Sequence, residues 1–476
     1  MSETPVIRAR DRDAVLQSLS AGVVPRRGQQ HVQVGRAKEV AALVKDLDRI
    51  GEPGEHGGSA CRFVVGDYGS GKTFFLHIVR SIALEKRLVT AHADLSPDRR
   101  LQATKGQARA LYSELMRNLA TRSRPEEGAL PSVVERFVTG ARDEAQSGGR
   151  RTEDVVRQRL ESLKEMVGGY DFADVIAAYW RGHEQGNDQL QSDAVRWLRG
   201  EFATKSEART ALGVRTIIAD ADFYDQLKLM ARFVRLAGYA GLLVCLDEMV
   251  NLFKIPNSVS RSANYEQVLR ILNDSLQGVA VGLGFVMCGT PESVTDTRRG
   301  LFSYPALESR LSDNAFARNG LVDLSGPVIR LAALTPEDLF VLLTKIRHVH
   351  AGGDAQRYAL PNEALTAFME HCAQRIGDAY FRTPRATVRA FVNLLAVLEQ
   401  NPGVDWRGLL GGVVLEDDRN SALEPLEEDD AEGSVTGAPP QAKTPDSSVA
   451  TGSRSPAAGS AKPDGDDNEP LASFKL

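Results

Sequence analysis

Short apolar runs punctuate the first two thirds of the chain, at 61–65, 88–95, 241–246 and 281–288. Runs of this length with little polar alternation are typical of strands buried on both faces of a parallel sheet. Because amphipathic helical patterns separate these runs, the sequence predicts an α/β fold built on a parallel sheet, with its core at 61–330.

The interval at 97–238 is unusually long for a connection between two strands of such a sheet. Helical patterns occupy much of it, at 108–119, 155–166, 171–181 and 222–236. We interpret it as a long helical insertion into the core. Its tryptophans, Trp180 and Trp197, are expected to pack in the interior rather than to stack on nucleic-acid bases.

A second helical block is predicted at 331–412. It opens with Thr335 as a plausible N-cap, Pro336 at the first helical position and Asp338 three residues after the cap, an imperfect capping box. We expect this block to form a C-terminal lid domain. Residues 1–60 are expected to be an N-terminal segment that leads into the core.

The tail at 413–476 differs in composition from the rest of the chain. It is rich in Asp, Glu, Ser, Pro, Gly and Ala and has few large apolar residues. Such a segment cannot bury enough surface to offset its ordering entropy, so we expect it to be disordered. It carries most of the acidic excess behind the net charge of −5, which leaves a weakly basic body that permits nucleic-acid contact without indicating it.

Composition and cysteine usage restrict the class of protein. With 476 residues, 42% hydrophobic and 25% charged, the chain resembles a soluble globular protein. No signal peptide and no membrane-spanning run is predicted. The cysteines form no CxxC pair, so we expect reduced core residues in a cytoplasmic protein; they are Cys61, Cys245, Cys288 and Cys372.

The most specific motif follows the first apolar run and matches G-x-x-x-x-G-K-[ST], the Walker A loop. Its residues are Gly66, Asp67, Tyr68, Gly69, Ser70, Gly71, Lys72 and Thr73, with Phe74 next. Such a glycine-rich loop wraps phosphate oxygens with its N–H groups, the lysine reaches the β- and γ-phosphates, and the threonine hydroxyl ligates Mg²⁺. The helix predicted at 72–85 adds its positive end. The motif therefore predicts binding of ATP and Mg²⁺, against the alternative of a glycine-rich turn.

The third apolar run ends in Asp247 and Glu248, a Walker B pattern. Carboxylates at the carboxyl end of a parallel strand lie beside the nucleotide crevice. We expect Asp247 to hold the Mg²⁺ shell and Glu248 to polarise the attacking water. After the fourth run, Thr290 is a candidate for a hydrogen bond to that water or to the γ-phosphate, or it is an ordinary turn threonine; Asn273 is a weaker candidate.

The order of these motifs resembles the AAA+ superfamily of P-loop ATPases, within its origin-recognition-like branch. Val34-Gly35-Arg36-Ala37-Lys38-Glu39 is similar to the box that lies beside the adenine in that superfamily. The resemblance implies that Arg310 is an arginine finger acting in trans, which would require self-association, and that Arg385 is a lid arginine. On the residues alone, Arg310 is equally a surface arginine, and Arg382 and Arg389 compete with Arg385.

A closer resemblance covers about 10–400, to the ATP-binding proteins of BREX-type phage-defence systems, of the small ATPase type. The segment from Ala14 to Arg36 and the motifs GDYGSGKTFFL, LDEMVNLF and TPRATVRAFVNLL carry it. It implies a defence ATPase that works beside a helicase, a methyltransferase or other partners on DNA.

Three functions remain open from the sequence. The first is an ATPase that hydrolyses ATP with Mg²⁺ to remodel or load a partner on DNA. The second is a slowly hydrolysing, nucleotide-gated switch that recruits partner proteins. The third is a DNA-binding module, for which basic pairs such as Arg26-Arg27 give weak support since solvated faces explain them equally well. His348 and His350 are interpreted as surface histidines rather than a metal pair.

Overall fold

Five parallel strands form a single sheet in the computed structural model, which describes residues 7–54, 57–317 and 323–412. The strand order is β2-β3-β4-β1-β5, so β1 lies between β4 and β5. The bounds are β1 Ala60–Val65, β2 Val89–Asp94, β3 Leu242–Asp247, β4 Leu283–Gly289 and β5 Val328–Arg330. The first four match the predicted runs to within two residues, and β5 was not predicted.

One face of the sheet is covered by helices from the amino-terminal part of the chain. Alternate residues such as Val64, Cys245 and Val286 pack here in one apolar cluster with Leu47 and Val79. The helix at 72–85 has its predicted bounds. The two helices on this face are α2 Ala37–Ile50 and α3 Lys72–Glu85, and α1 Ala9–Ser20 precedes them in the chain.

The long connection between β2 and β3 is helical, as predicted. Its bounds are α4 Gln107–Arg117, α5 Leu130–Gly148, α6 Thr152–Lys164, α7 Gly169–Gln185, α8 Asp188–Leu198, α9 Lys205–Leu212 and α10 Phe223–Leu236. The cluster that fills these helices also includes Phe63, Val89 and Phe285 from the other face of the sheet. The connection therefore shares one continuous core with the sheet. Trp197 is buried in that core and Trp180 packs against it, as expected.

Helices also form the connection between β3 and β4 and the one between β4 and β5. They are α11 Val250–Phe253, α12 Ser258–Leu276, α13 Pro291–Thr295 and α14 Pro305–Leu311. Asn264 of α12 is fully buried and bonds the backbone of Gln102 on both its donor and acceptor sides, at 3.0 and 2.9 Å. This pair of bonds fixes α12 against the segment that follows β2.

The C-terminal helical block packs around an apolar cluster distinct from the two on the faces of the sheet. Its helices are α15 Pro336–His350, α16 Asn362–Ile376, α17 Ala379–Arg382, α18 Pro384–Gln400 and α19 Trp406–Leu410. The capping box at its start forms: the Thr335 hydroxyl accepts from the Asp338 N–H at 3.1 Å and the Asp338 carboxylate from the Thr335 N–H at 3.2 Å. The acidic tail predicted at 413–476 lies outside the described residues.

Helix α1 packs on this C-terminal block. Val15 of α1 is buried in the same cluster as Leu339 and Phe391. Arg12 also donates to the His350 carbonyl oxygen at 2.7 Å and pairs with Glu399 at 2.7 Å. The chain then runs through residues 21–36, here called the strap, to reach α2. The beginning of the chain thus contacts both the C-terminal block and the sheet.

Candidate functional site

The loop between β1 and α3 is held in a wrapped conformation by two glycines. Gly69 and Gly71 have φ of +76° and +88°, a left-handed backbone that glycine adopts without strain. A Cβ on Gly69 would also lie only 3.3 Å from the Thr383 Cβ. The glycine spacing in the motif therefore serves both the curvature of the loop and its close approach to the C-terminal block.

Lys72 turns back over this loop. Its ammonium group donates to the carbonyl oxygens of Gly66 and Asp67, both at 2.9 Å. Burial lowers the pKa of Lys72, and the nearby Asp247 carboxylate opposes that shift. A cation at the mouth of a loop is the arrangement that an anionic phosphate group requires.

Thr73 and Asp247 are in direct contact. The Thr73 hydroxyl donates to the Asp247 carboxylate at 2.7 Å, and the other carboxylate oxygen accepts from the Glu248 N–H at 2.8 Å. Asp247 is the buried last residue of β3. The loop after β1 and the end of β3 thus present two oxygen donors side by side.

Glu248 follows the strand with an unusual backbone. Its φ is +59°, which is uncommon for a residue with a side chain and turns the chain sharply after β3. Partial desolvation and the charges of Asp247 and Asp94 raise the pKa of Glu248. A carboxylate with a raised pKa is suited to accept a proton.

Two buried hydroxyl groups in the site lack hydrogen-bond partners within the described residues: Ser70 Oγ and Thr290 Oγ1. Ser70 is 5% exposed and Thr290 4% exposed. Buried hydroxyls are nearly always hydrogen-bonded, so each of these two can bond a ligand or a water in the site. Both line the cavity described next, and phosphate oxygens are acceptors that would satisfy them.

A cavity of about 260 Å³ joins the loop, the strap and the C-terminal block. The loop and the strand ends form its polar side. Its apolar side is formed by residues of α1, the strap, α3 and the C-terminal block: Leu19, Val23, Val24, Pro25, Val32, Val34, Phe74, Phe75, Ile78, Leu334, Leu342 and Val388. An apolar slot continuous with a phosphate-type loop fits the base and ribose of a nucleotide.

Arg385 connects three parts of this cavity. Its Nη1 donates to the Tyr68 hydroxyl at 3.2 Å and its Nε to the Gly22 carbonyl oxygen at 2.8 Å, and the guanidinium lies over the Tyr68 ring. The C-terminal block, the loop and the strap therefore meet at one side chain. Arg382, by contrast, pairs with Asp378 on the exposed side of α17.

The strap residues of the VGR box have different positions. Arg36 lines the cavity, has φ of +65° and donates to the Ala332 carbonyl oxygen at 2.5 Å. Gly35 does not line the cavity; a Cβ there would lie 3.9 Å from the Asp338 carboxylate. Gly35 therefore lies against the C-terminal block, beside the cavity.

Among the predicted site residues, Gly66 and Asp67 of the loop do not line the cavity, and neither does Arg310. Arg310 is exposed on α14, and its Nη1 donates to the Ala306 carbonyl oxygen of its own helix at 2.7 Å. Asn273, on α12, does not line it either. Lys72, Thr73, Asp247, Glu248, Thr290 and Arg385 all do.

Asp94 lies beside this site without lining the cavity, and it was not predicted. It is the last residue of β2, in register with Asp247 on β3. Partial desolvation and the charge of Asp247 raise the pKa of Asp94. Asp94 could have been predicted from its position at the carboxyl end of a parallel strand, since the same rule led to the prediction of Asp247. The apolar strap residues were missed as lining residues because a short apolar segment carries no local sign of its ligand.

The donor set fits a magnesium ion bound together with a phosphate ligand. Thr73 and Asp247 supply hard oxygen donors, which Mg²⁺ prefers. Across 7–54, 57–317 and 323–412, no group of three or more His, Cys, Asp or Glu side chains could hold a metal ion. A cation here would take its remaining ligands from phosphate and water, as Mg²⁺ commonly does.

The remaining candidate residues, the histidines, the paired arginines and the cysteines, make contacts within the fold. His348 contacts the Tyr358 hydroxyl at 3.0 Å. His350 is buried and lies 3.2 Å from Glu399, so the expectation of a surface histidine is wrong there; its side chain packs between α15 and α18 instead. Several members of the basic pairs bond acidic neighbours, among them Arg26, Arg27, Arg99, Arg150 and Arg151. All four cysteines are free and buried. In the part of the chain that the structure describes, no helix has the length and apolarity needed to span a bilayer.

Comparison with known proteins identifies the family. The family model for the BREX system ATP-binding protein BrxC/D matches residues 7–413. No curated protein matches the chain. The family match covers the sheet, the strap, the cavity and the C-terminal block. The chain therefore belongs to the family of BREX system ATP-binding proteins BrxC/D.

Proposed function

We propose that this chain is a P-loop ATPase of the AAA+ type that hydrolyses ATP with Mg²⁺ and uses the energy to remodel or load a partner on DNA in phage defence. The observation that carries the proposal is the 2.7 Å hydrogen bond between Thr73 and Asp247, with Lys72 and Glu248 beside it. These are the four groups that the Walker A and Walker B motifs would bring to one phosphate chain.

The order of the sheet supports the AAA+ assignment. The loop-bearing strand β1 lies between β4 and β5, and β3 with its terminal carboxylate lies next to β4. A separate helical block follows β5 and covers the cavity from the other side. A nucleotide in this position would contact both parts and could alter their relative orientation.

Binding would rest on the loop and on α3. The first turn of α3 carries the positive end of the helix, and its N–H groups with those of the loop would face the phosphates. Lys72 would exchange its bonds to the carbonyl oxygens of Gly66 and Asp67 for phosphate oxygens. The unpartnered hydroxyls of Ser70 and Thr290 would gain acceptors.

Hydrolysis requires a water aligned with the γ-phosphate. Glu248 would accept a proton from this water as its oxygen bonds to the γ-phosphorus and the bond from that phosphorus to the β–γ bridging oxygen breaks, which leaves ADP and inorganic phosphate. Thr73 and Asp247 would hold Mg²⁺, which supplies positive charge against the β- and γ-phosphate oxygens. The raised pKa of Glu248 favours its taking the proton.

The two arginines would act from opposite sides. Arg385 is close enough to the loop to exchange Tyr68 for a phosphate oxygen. Arg310 faces solvent and would need a second copy of the chain to meet a nucleotide, so its proposed role requires self-association.

The test is ATP turnover by the purified chain over a series of protein concentrations, with and without DNA and with Mg²⁺ or a chelator. We expect Mg²⁺-dependent phosphate release whose specific activity rises with protein concentration. Bound ATP with release at background, and partner binding that depends on ATP, would instead favour the nucleotide-gated switch. Absence of ATP binding would overturn both.

A further inference from the structure

Behind the phosphate-type loop, α3 carries a second group of basic side chains. Arg80 and His77 lie on α3, His92 on β2 and Arg26 in the strap, with Glu127 from the loop that precedes α5. Arg80, His77 and Arg26 interact electrostatically with His92. None of the five lines the nucleotide cavity. We call these residues the Arg80 cluster.

Arg80 is the unusual member. It is 8% exposed, and its Nε has no hydrogen-bond partner in the described part of the chain. Burial lowers the pKa of Arg80, although a guanidinium remains charged under all ordinary conditions. A buried cation is normally paired and hydrogen-bonded, because desolvation makes an uncompensated charge costly.

The available carboxylate is shared. Glu127 is the acidic residue whose charge acts on Arg80, but its Oε1 already contacts Arg26 at 3.2 Å and His92 at 3.4 Å. Glu127 holds φ of +92°, an uncommon backbone for a residue with a side chain, which indicates that its position is imposed by its surroundings. Within the cluster, among the residues that the structure describes, one carboxylate serves two guanidinium groups, which leaves one positive charge without compensation.

The histidines add hydrogen-bonding capacity without adding charge. Burial and the charge of Arg80 lower the pKa of His77 to about 4 and that of His92 to about 3, so both are neutral at neutral pH. His92 Nδ1 has no hydrogen-bond partner within the described ranges. A neutral imidazole has a single N–H donor, so with Nε2 of His92 facing Glu127 the free Nδ1 is an acceptor, and His77 is the histidine that can donate to an oxyanion.

We propose that the Arg80 cluster is an anion site, distinct from the nucleotide cavity, that takes a phosphate-type oxyanion held by Arg80 and Arg26 with His77 as a further donor. The Arg26 side chain is 66% exposed, which leaves that side of the cluster open to solvent. The single uncompensated charge suits a singly charged phosphate group. Free phosphate and a phosphodiester of a nucleic-acid backbone share this chemistry.

The test uses thermal unfolding of the full chain against inorganic phosphate at constant ionic strength. Lys72→Ala is the background, so that phosphate on the nucleotide loop does not contribute. We expect the melting temperature to rise with phosphate, since a ligand of the folded state stabilises it. In the Arg80→Met double variant this rise should be lost. In phosphate-free buffer that variant should melt at a higher temperature than the background, since an uncompensated charge is removed.

Arg122→Met is the matched control, since Arg122 is exposed and pairs with Glu85 at 3.1 Å; its phosphate response should equal the background. Arg26→Gln is a second test, because the Arg26 side chain is largely exposed and its replacement should not disturb folding. It should weaken the rise in melting temperature with phosphate. A short DNA duplex, tested by direct binding, separates the sources: lowered affinity in Arg80→Met assigns the phosphodiester, and unchanged affinity assigns free phosphate. An Arg80→Met protein that is destabilised equally at every phosphate concentration, with Arg26→Gln unaltered in response, would overturn the proposal.

Discussion

The Thr73 hydroxyl donates a 2.7 Å hydrogen bond to the Asp247 carboxylate across 174 positions of the chain. The parallel sheet makes this contact possible, because β1 and β3 flank β4 and end at the same edge. A single sheet edge thus brings together a hydroxyl, a carboxylate, the Lys72 ammonium and the Glu248 side chain. The predictions below follow from that arrangement.

Lys72→Ala should weaken ATP binding. Removal of a charge-assisted bond to phosphate costs about 1.5–3 kcal/mol, so affinity should fall by about tenfold or more. Titration calorimetry with ATP measures it. Lys86→Ala, which removes a lysine at the other end of α3 that bonds Asp48, is the matched control. Equal affinity in Lys72→Ala and the wild type would contradict the role of the loop.

Asp94→Asn should shift the pH dependence of ATP turnover. Glu248 accepts a proton only when ionised, so activity is lost as pH falls through its raised pKa. The negative charge of Asp94 contributes to that rise, so its removal lowers the pKa of Glu248. The acid limb of the kcat/KM profile should therefore move to lower pH. The exposed Asp98→Asn variant should leave it in place, and a shift to higher pH in Asp94→Asn would refute the relationship.

Arg385→Gln should reduce kcat/KM by about tenfold or more, because a guanidinium that reaches the loop is replaced by a neutral group. Arg382→Gln is the control, since Arg382 is the last residue of α17, just before α18, and pairs with Asp378. Tyr68→Phe keeps the ring under the guanidinium and removes its acceptor, so it should retain activity. If Arg382→Gln is the more damaging variant, the lid arginine is misassigned.

An inactive Arg310→Ala chain should restore ATP turnover when it is mixed with an inactive Glu248→Gln chain. If Arg310 acts on a neighbouring copy, a mixture of inactive Arg310→Ala and inactive Glu248→Gln chains creates some interfaces with both groups intact. Phosphate release by the mixture should exceed the sum of the separate proteins. Arg298→Ala, at another exposed arginine, should be active alone. A mixture no more active than its parts would rule out action in trans.

The sequence predicted the elements whose pattern is local. The strands of the core appear as apolar runs, α3 begins at Lys72 as predicted, and the capping box of Thr335 and Asp338 forms. Strand β5 was missed because three residues are too few for periodicity to register. Its place in the sheet depends on pairing with β1, which no local signal encodes.

Tertiary relationships account for what the sequence could not give. The packing of α1 on the C-terminal block depends on matched apolar faces far apart in the chain. The strap lines the cavity only because α1 packs on the C-terminal block at one end and α2 packs on the sheet at the other. Likewise, the uncompensated positive charge at Arg80 cannot be recognised from the sequence, in which α3 has the pattern of an ordinary amphipathic helix. A charge without compensation can be recognised only when its neighbours are known.

The most direct measurement of the central claim compares ATP binding with phosphate release in Glu248→Gln. The account predicts ATP affinity close to that of the wild type and a turnover rate lower by about 100-fold or more, since the group that accepts the proton is lost. Glu266→Gln, an exposed change on α12, should match the wild type in both. Wild-type turnover in Glu248→Gln would contradict the account, because the proton acceptor would then lie elsewhere.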